Sequence, residues 1–295
     1  MEIAELEIFR AVAQEQSVTR AARRLRRVQS NVTTRVKKLE ENLGVALFVR
    51  GGRQMALTPE GRRFLDYAER ILALATEARQ AVRDEAPSGR LRLGSMEAAA
   101  ASRLPGPLAS FHRKWPAVQI DIQTGTTQAL ADAVVAHRLD CAIVAHPAQG
   151  RPEQADMARL GPALQGDYLF TERLLLVAPP SHPRIRRARD IRVRTIAAFT
   201  QGCTYRNCVD EWLARDGESL DGWGVVEQSS YAAILACVMA GTAVAAVPQS
   251  VLAMHPAAAG VNKTLLRTVN SFLISRAGFR TSACSAFYQE MRRAA

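Results

Sequence analysis

Apolar residues at the start of the chain recur at helical spacing. Leu6, Phe9 and Ala13 are separated by three and four residues, which places them on one face of a helix. A second helix is predicted from about Val18, because Ser17 offers a side-chain oxygen that can cap its first turn. A third helix follows a break near residues 26–28, and its apolar stripe consists of Val32, Val36, Leu39 and Leu43.

The opposite face of the third predicted helix is polar. Its amide, hydroxyl and cationic groups are those that hydrogen-bond base edges and phosphates in a DNA major groove. The hydroxyls lie near the start of the helix, where a recognition helix meets the bases, and cations flank them. We therefore predict that this face binds double-stranded DNA through Gln29, Ser30, Thr33, Thr34, Arg35, Lys37 and Lys38.

A hairpin is predicted after the third helix. Gly51 and Gly52 supply the positive φ angles that a tight hairpin needs. The flanking Arg50 and Arg53 are then free to contact phosphate.

A long helix is predicted to follow, starting at Thr58 and Pro59. Its apolar residues are spaced alternately by four and three, which is the spacing of a coiled-coil seam. The pattern has two interpretations, which are pairing of two copies of the chain and packing of the helix on its own domain, and three heptads alone do not hold a strong dimer. The predicted dimerisation residues are Phe64, Ala68, Ile71, Ala75, Ala78 and Val82.

From Arg90 onward, short apolar strands alternate with helices. RLRLGS, VQIDIQTG and LDCAIVA are predicted strands, and ALADAVVAHR is a predicted helix between the last two. The alternation predicts an α/β architecture with mostly parallel sheets.

Positive charge is concentrated in the N-terminal part of the chain. The 295 residues carry a net charge of +11, and residues 18–63 alone hold twelve basic and three acidic side chains. A basic segment of this kind favours a polyanionic partner. A second cluster, residues 184–194, has no helix-turn-helix pattern around it and is interpreted as solvated surface.

Several classes of protein are disfavoured by what the sequence lacks. It has no apolar run long enough to span a membrane and no signal-peptide pattern at its start, so we expect a cytoplasmic protein without a membrane partner. Its five cysteines show no repeated CxxC spacing, so we expect neither a metal nor another cofactor. It also lacks GxSxG, P-loop, GxGxxG and HExxH motifs, which argues against an enzyme.

The stretch AARRLRRVQSNVTTRVKKLEENLGVALFVRGGRQMALTPEG resembles the DNA-binding signature of LysR-type transcriptional regulators. The resemblance implies that the helix from Gln29 to Lys38 enters the major groove and that the hairpin is a wing. One departure is Arg27 and Val28, where the family has an apolar residue and then Ser or Thr, so we expect the helix cap at Ser30 instead. The matching residues are Ala21, Ala22, Leu25, Gln29, Leu39, Glu40, Leu43, Gly44, Leu47, Phe48, Arg50, Arg53, Leu57, Thr58 and Gly61.

The resemblance also implies the domain organisation. The fold class is an α+β multidomain chain: a winged helix-turn-helix (1–58), a linker helix for dimerisation (59–87) and a two-lobed α/β effector domain similar to periplasmic binding proteins (88–295). The chain is expected to cross between lobes near residues 161–164 and 263–267. Lobe I would contain 88–163 and 264–295, and lobe II would contain 164–263. The family pairs its linker helices, so a homodimer or homotetramer is expected.

Phrases such as GSMEAAAASRLP and FTQGCTYRNCVDEWLA resemble the branch of the family that includes a regulator of putrescine utilisation. The family resemblance implies that a small-molecule effector, an organic acid or an amine, binds in the cleft between the lobes. Glu97 would suit a cationic group, and each candidate could equally be a helix cap without a ligand. The candidate effector-binding residues are Ser95, Met96, Glu97, Thr126, Thr127, His146, Gly202, Cys203, Thr204 and Ser230.

A thiol-based redox sensor is the alternative function. A peroxide-sensing branch of the family carries a thiol at the position that Cys203 resembles, and Cys208 lies five residues further along. If a helix begins at about Thr204, this offset turns the two side chains roughly 140° apart, so a disulfide would require unwinding of the helix.

Overall fold

The computed structural model divides the chain into two compact units, Met1–Asp84 and Glu85–Ala295. Each unit has a hydrophobic core of its own. No helix within the described part of the chain has both the length and the apolar character needed to cross a bilayer. The structure describes residues 1–49, 55–81, 86–148, 162–278 and 280–294, with the backbone alone at 77, 80 and 81.

The described part of the first unit contains four helices. The N-cap of the second is Ser17, whose hydroxyl accepts the Arg20 N–H as predicted. The third helix begins at Gln29 with Val28 at the N-cap and no side-chain cap, so the prediction of a cap at Ser30 is wrong. Ser30 lies inside the first turn, beyond the cap position. The helices are α1 (Ile3–Glu15), α2 (Val18–Arg24), α3 (Gln29–Leu43) and α4 (Pro59–Ala81).

Three phenylalanines form the centre of the first core. The ring of Phe9 lies 5.4 Å from that of Phe48 and 5.1 Å from that of Phe64. Ala68 of α4 is fully buried in the same core, and Ile71 packs against it. The first part of the long helix therefore stabilises its own unit.

This packing corrects the predicted dimerisation seam. Ala68 is fully buried, and Phe64 and Ile71 are half-buried against the same core, so the alternative of a helix packed on its own domain describes this part of α4. Ala75 is half-buried and Ala78 is exposed, and both stay predicted dimerisation residues. Val82 lies outside the described residues.

The second unit alternates strands and helices, as the sequence predicts. Its strands are β1 (Gly89–Ser95), β2 (Val118–Thr124), β3 (Cys141–Pro147), β4 (Leu164–Ala178), β5 (Thr195–Ala198), β6 (Gly224–Glu227), β7 (Ala245–Pro248) and β8 (Asn262–Arg276). Its helices are α5 (Glu97–Ser102), α6 (Pro105–Lys114), α7 (Thr127–Val135), α8 (Thr204–Ala214), α9 (Tyr231–Met239), α10 (Gln249–Ala253) and α11 (Ser282–Ala294).

The described strands form a six-stranded sheet, in the order β2-β1-β3-β8-β4-β7, and a separate pair, β5-β6. The β1-β2, β1-β3 and β5-β6 pairings are parallel. The β3-β8, β8-β4 and β4-β7 pairings are antiparallel, so the prediction of mostly parallel sheets is wrong for the larger sheet. The reason is that two long strands, β4 and β8, run antiparallel through its centre.

Strands β4 and β8 pair along their whole length and connect two lobes. Lobe I contains β1 to β3, α5 to α7 and α11, and lobe II contains β5 to β7 and α8 to α10. The start of β4 belongs to lobe I, because Leu169 lies in the same core as Phe111 and Phe287. The predicted boundary at residues 161–164 therefore falls at the start of β4, and the crossing itself lies further along this strand.

Candidate nucleic-acid interface and interlobe cavity

The exposed face of α3 carries most of the residues predicted to bind DNA. Val32, Val36 and Leu39 are buried against the first core, as their spacing predicts. The prediction is wrong for Leu43, the fourth residue of the stripe, which is exposed at the end of α3. The turn of the helix then presents the polar side chains to solvent. Those of Gln29, Ser30, Thr34, Lys37 and Lys38 are exposed, and that of Thr33 is half-buried.

Helix α2 positions the amide of Gln29. The hydroxyl of Thr19 donates a hydrogen bond to Gln29 Oε1 over 3.2 Å. This contact occupies the acceptor of the amide and leaves its NH₂ group as a donor. A donor at the start of a recognition helix suits an acceptor on a base edge in the major groove.

Arg35 has a different environment from the other predicted DNA-binding residues. Its guanidinium lies 3.0 Å from a carboxylate oxygen of Glu2 and 3.7 Å from one of Glu5, both near the start of α1. The Glu5 side chain is almost completely buried, so it needs a partner within the protein. The contacts of Arg35 therefore hold α3 against α1, and its predicted contact with DNA stays a prediction.

The base of the predicted wing is held from α3. One carboxylate oxygen of Glu40 accepts the N–H groups of Leu47, at 2.7 Å, and Phe48, at 3.1 Å. Phe48 also pairs with Leu57 in an antiparallel bridge, which supports the predicted hairpin. The wing arginines, Arg50 and Arg53, lie outside the described residues.

A cavity of about 490 Å³ lies between the two lobes of the second unit. The first turns of α5 and α7 face it from lobe I, and those of α8 and α9 face it from lobe II. Five of the ten predicted effector-binding residues line it: Met96, Glu97, Thr126, Thr127 and Cys203. The rule that ligands bind beyond the ends of strands predicted these positions.

The other five predicted residues lie beside the cavity or behind its wall. The hydroxyl of Ser95 donates to the Met96 carbonyl, and that of Ser230 caps α9 by accepting the Ala233 N–H. Thr204 points at lobe I, and His146 lies on β3 with its ring 6.3 Å from that of Phe272. Gly202 has a φ of +91°, and a Cβ there would lie 3.3 Å from the Thr126 hydroxyl oxygen.

Sequence reasoning missed ten lining residues. Phe199 and Thr200 follow β5, and residues 227–229 end or follow β6, so the same strand-end rule would have found them. Tyr205 follows the N-cap Cys203 by two residues and Tyr231 directly follows the N-cap Ser230, and no local pattern distinguishes either tyrosine as a lining residue. The missed residues are Ala98, Thr124, Gly125, Phe199, Thr200, Tyr205, Glu227, Gln228, Ser229 and Tyr231.

Several polar contacts between described residues join the lobes, and one of them pairs the hydroxyls of Ser102 in α5 and Ser250 in α10 at 3.1 Å. The hydroxyl oxygen of Thr204 in α8 lies 2.9 Å from the Thr127 hydroxyl and 2.9 Å from the Ala145 carbonyl oxygen. The carboxylate of Glu172 accepts hydrogen bonds from the Arg103 guanidinium, at 2.9 Å, and the Ser250 backbone N–H, at 3.3 Å. The lobes are therefore in direct contact around the cavity.

Glu97 is the charged residue with the least compensation in the cavity wall. Burial raises the pKa of its carboxyl, and this effect is opposed by a hydrogen bond from the Tyr231 backbone N–H and by the charge of His255. Its Oε2 atom is buried and has no hydrogen-bond partner among the described residues. The other acidic side chain of the wall, Glu227, is paired with Arg206 at 2.9 Å.

The cysteines of the redox alternative are poorly placed for reaction. Helix α8 begins at Thr204, so the five-residue offset between Cys203 and Cys208 disfavours a direct disulfide, as predicted. Burial raises the pKa of the Cys203 thiol, although the N–H groups of Arg206 and Tyr205 oppose it. Burial also raises the pKa of Cys208 to about 11. Both thiols are therefore protonated at neutral pH, and the thiolate is the reactive form.

No group of His, Cys, Asp or Glu within the described ranges has the arrangement needed to hold a metal ion.

Two family models together cover almost the whole chain. Residues 3–62 match the bacterial regulatory helix-turn-helix protein of the lysR family, and residues 84–295 match the LysR substrate binding domain. Curated relatives include the transcriptional regulators GltR and CzcR of Bacillus subtilis. GltR is 34% identical, over 99% of this chain and 96% of its own length. CzcR is 36% identical, over 88% of this chain and 84% of its own length.

Solved structures show the same fold. A full-length variant of OxyR from Pseudomonas aeruginosa is 25% identical, with a TM-score of 0.72 over 100% of this chain and 99% of its own. Full-length CbnR complexed with its target DNA is 25% identical, with a TM-score of 0.65 over 100% of both chains. The helix-turn-helix unit, the two-lobed unit and these matches agree, and this chain belongs to the LysR family of DNA-binding transcriptional regulators.

Proposed function

We propose that this regulator binds operator DNA through the exposed face of α3 and the wing, and that it responds to a small molecule held in the cavity between its lobes. The observation that carries the proposal is the cavity itself, because both lobes supply its walls. A ligand that touches both walls binds one arrangement of the lobes more tightly than another. Differential binding of this kind is what allows a ligand to shift a conformational equilibrium.

Base reading is assigned to the start of α3. Gln29, with its oriented amide, and the hydroxyl residues Ser30, Thr33 and Thr34 supply the donors and acceptors. Lys37 and Lys38 flank them and suit phosphate. Arg50 and Arg53 of the wing are proposed to contact phosphate as well. The solved complex of CbnR with DNA supports this use of the N-terminal unit.

The effector is proposed to be a small organic acid or amine that contacts Met96, Glu97, Thr126, Thr127 and Cys203. We further propose that the protein acts in the cytoplasm as a homodimer or homotetramer. Two DNA-binding units in one assembly would favour a partly palindromic operator. Ala75, Ala78 and Val82 are the positions of the seam that stay candidates for this pairing.

A mobility-shift titration tests the proposal. The purified protein is titrated against the DNA that flanks its own gene, at two salt concentrations, with a scrambled duplex as competitor. We expect site-specific binding that weakens steeply with salt, because phosphate contacts release counterions. Equal affinity for the operator and the scrambled duplex at both salt concentrations would contradict the assigned role of α3.

The same assay tests the effector part of the proposal. Small acids and amines are added to the operator complex, and a compound that acts as effector changes its mobility or affinity. The matched control is Thr126→Trp, which fills the cavity. We expect this variant to bind operator DNA without responding to the compound, and an unchanged response would place the effector elsewhere.

A further inference from the structure

The charge of the cavity wall is negative. Among the lining residues that the structure describes, the carboxylic acids are Glu97 and Glu227, and the wall contains no lysine or arginine. Glu227 is already neutralised by Arg206. The charge with the least compensation is therefore that of Glu97, whose buried Oε2 has no hydrogen-bond partner among the described residues.

Aromatic side chains surround the same space. The rings of Phe199 and Tyr231 meet edge to face, with their centroids 5.0 Å apart, and Tyr205 forms another part of the wall. Tyr231 connects this group to the carboxylate, because its backbone N–H hydrogen-bonds Glu97. A carboxylate beside aromatic faces is the combination that binds organic cations in proteins.

The helix N-termini around the cavity are less available to an anion than their number implies. The hydroxyls of Thr126 and Ser230 accept N–H groups of the first turns of α7 and α9. The N-cap residues of α5 and α8, Met96 and Cys203, make no side-chain cap hydrogen bond. Because the protein itself supplies acceptors at α7 and α9, a ligand carboxylate would gain little there, and Glu97 in the first turn of α5 would repel it.

We propose that the effector carries an organic ammonium group, which donates hydrogen bonds to Glu97 and lies against the aromatic rings of Phe199, Tyr205 and Tyr231. This inference rests on the proposed function, because it assigns a chemical class to the ligand of the same cavity. Glu97 is then the residue that selects the charge of the effector.

The experiment is a calorimetric titration of the full-length protein with three matched series of probes. These are linear 1-aminoalkanes of four to eight carbons, and the 1-alkanols and alkanoates of the same lengths. We expect the amines to bind most tightly. Glu97→Gln keeps the shape and the acceptor for Tyr231 but removes the charge, so amine affinity should fall about tenfold or more while alkanol affinity changes less than about threefold.

Two further variants distinguish a specific effect of Glu97 from a general loss of folded protein. Glu218→Gln removes a carboxylate of the same unit that lies outside the cavity wall and pairs with Arg194. It should leave amine affinity unchanged. Phe199→Leu keeps an apolar wall without the aromatic face, and it should weaken the amines more than the alkanols.

The outcomes separate this inference from the proposed function. The ammonium class is rejected if no amine binds, if alkanoates bind more tightly than amines, or if Glu97→Gln leaves amine affinity unchanged. If alkanoates bind and alter the operator complex, the proposed function is supported, but the proposal of an ammonium effector is rejected. If the parent protein shows no site-specific DNA binding in the mobility-shift titration, the proposed role of α3 is contradicted, whichever ligand the cavity binds.

Discussion

The hydroxyl of Thr204 in lobe II lies 2.9 Å from the hydroxyl of Thr127 in lobe I. Both side chains are buried, and the Ala145 carbonyl oxygen shares the contact at 2.9 Å from Thr204. Each threonine belongs to the first turn of its helix, next to a residue of the cavity wall. The state of this contact is therefore coupled to how closely the two walls approach each other.

Replacing Thr204 by valine should open the cleft. The valine keeps the shape of the side chain, but it leaves buried oxygens in lobe I without their partner, at a cost of about 1–3 kcal/mol. We expect weaker effector binding by about fivefold or more and a larger radius of gyration in X-ray scattering. Thr242→Val is the control, because the Thr242 hydroxyl bonds the Cys237 carbonyl within lobe II. Equal effects of both substitutions would count against a role for the interlobe contact.

Arg35→Ala should lower stability more than it changes DNA sequence preference. The substitution removes the guanidinium from the buried Glu5, and the loss of a partner by a buried polar group costs about 1–3 kcal/mol. Chemical denaturation, followed by circular dichroism, measures the change. Arg35→Lys should recover part of the lost stability. If instead the alanine variant is as stable as the parent and loses discrimination between operator and scrambled DNA, Arg35 reads bases after all.

Lys38→Ala should weaken binding to all DNA about equally. Lys38 is exposed on the flank of α3, where a phosphate contact is expected. Loss of one phosphate contact should reduce the slope of log affinity against log salt by about 1. Gln29→Ala is the contrasting variant, expected to relax sequence preference with the salt slope unchanged. The assignment is wrong if the two variants show the reverse behaviour in fluorescence anisotropy titrations.

Gly61→Ala should destabilise the first unit. A Cβ at position 61 would lie 2.0 Å from the carbonyl oxygen of Leu47, a backbone atom that cannot rotate away. We expect a loss of about 1–3 kcal/mol, the usual cost of overpacking, or failure to fold. Gly106→Ala is the matched control, because a Cβ there meets nothing within 4 Å and alanine favours the helix. Thermal unfolding of both variants gives the comparison, and equal melting temperatures would contradict the clash.

Glu97→Gln should stabilise the protein at neutral and alkaline pH. Burial raises the pKa of this carboxyl in the folded state, with His255 and the Tyr231 N–H acting against the increase. Ionisation of Glu97 therefore costs stability as the pH rises through its folded-state pKa, and glutamine avoids this cost. The difference in melting temperature between the variant and the parent should disappear as the pH falls below the ordinary pKa of a glutamate carboxyl. If the melting-temperature difference instead increased as the pH fell, the result would contradict a carboxyl whose pKa is raised by burial.

The predicted helices and site segments depended on local patterns. The stripe of Val32, Val36 and Leu39 determines which face of α3 is exposed, and every residue of that stripe is close in sequence. The role of Arg35 depends on Glu5, which lies on another helix and becomes a neighbour only after folding. A polar residue beside the apolar stripe gives no local sign of which carboxylate it will meet.

The contrast between local patterns and long-range neighbours also explains which residues of the cavity wall could be predicted. Met96 and Thr126 follow strands that the sequence marks clearly, so their position at the strand ends was predictable. Tyr205 and Tyr231 line the wall because two lobes approach each other, and this depends on the crossing strands. The antiparallel pairing of β4 with β8 was not predicted, because apolar periodicity does not specify which distant strand becomes the neighbour.

Strand pairing between β4 and β8 has a consequence for how the protein is made. Leu164 pairs with Arg276 and Ala178 with Asn262, so all of lobe II is synthesised between the two partners. The sheet of lobe I stays incomplete, with an open strand edge on β3, until β8 has been translated. Long-range pairing of this kind slows folding. We expect the nascent second unit to depend on chaperones, and neither lobe to fold when it is expressed without the other.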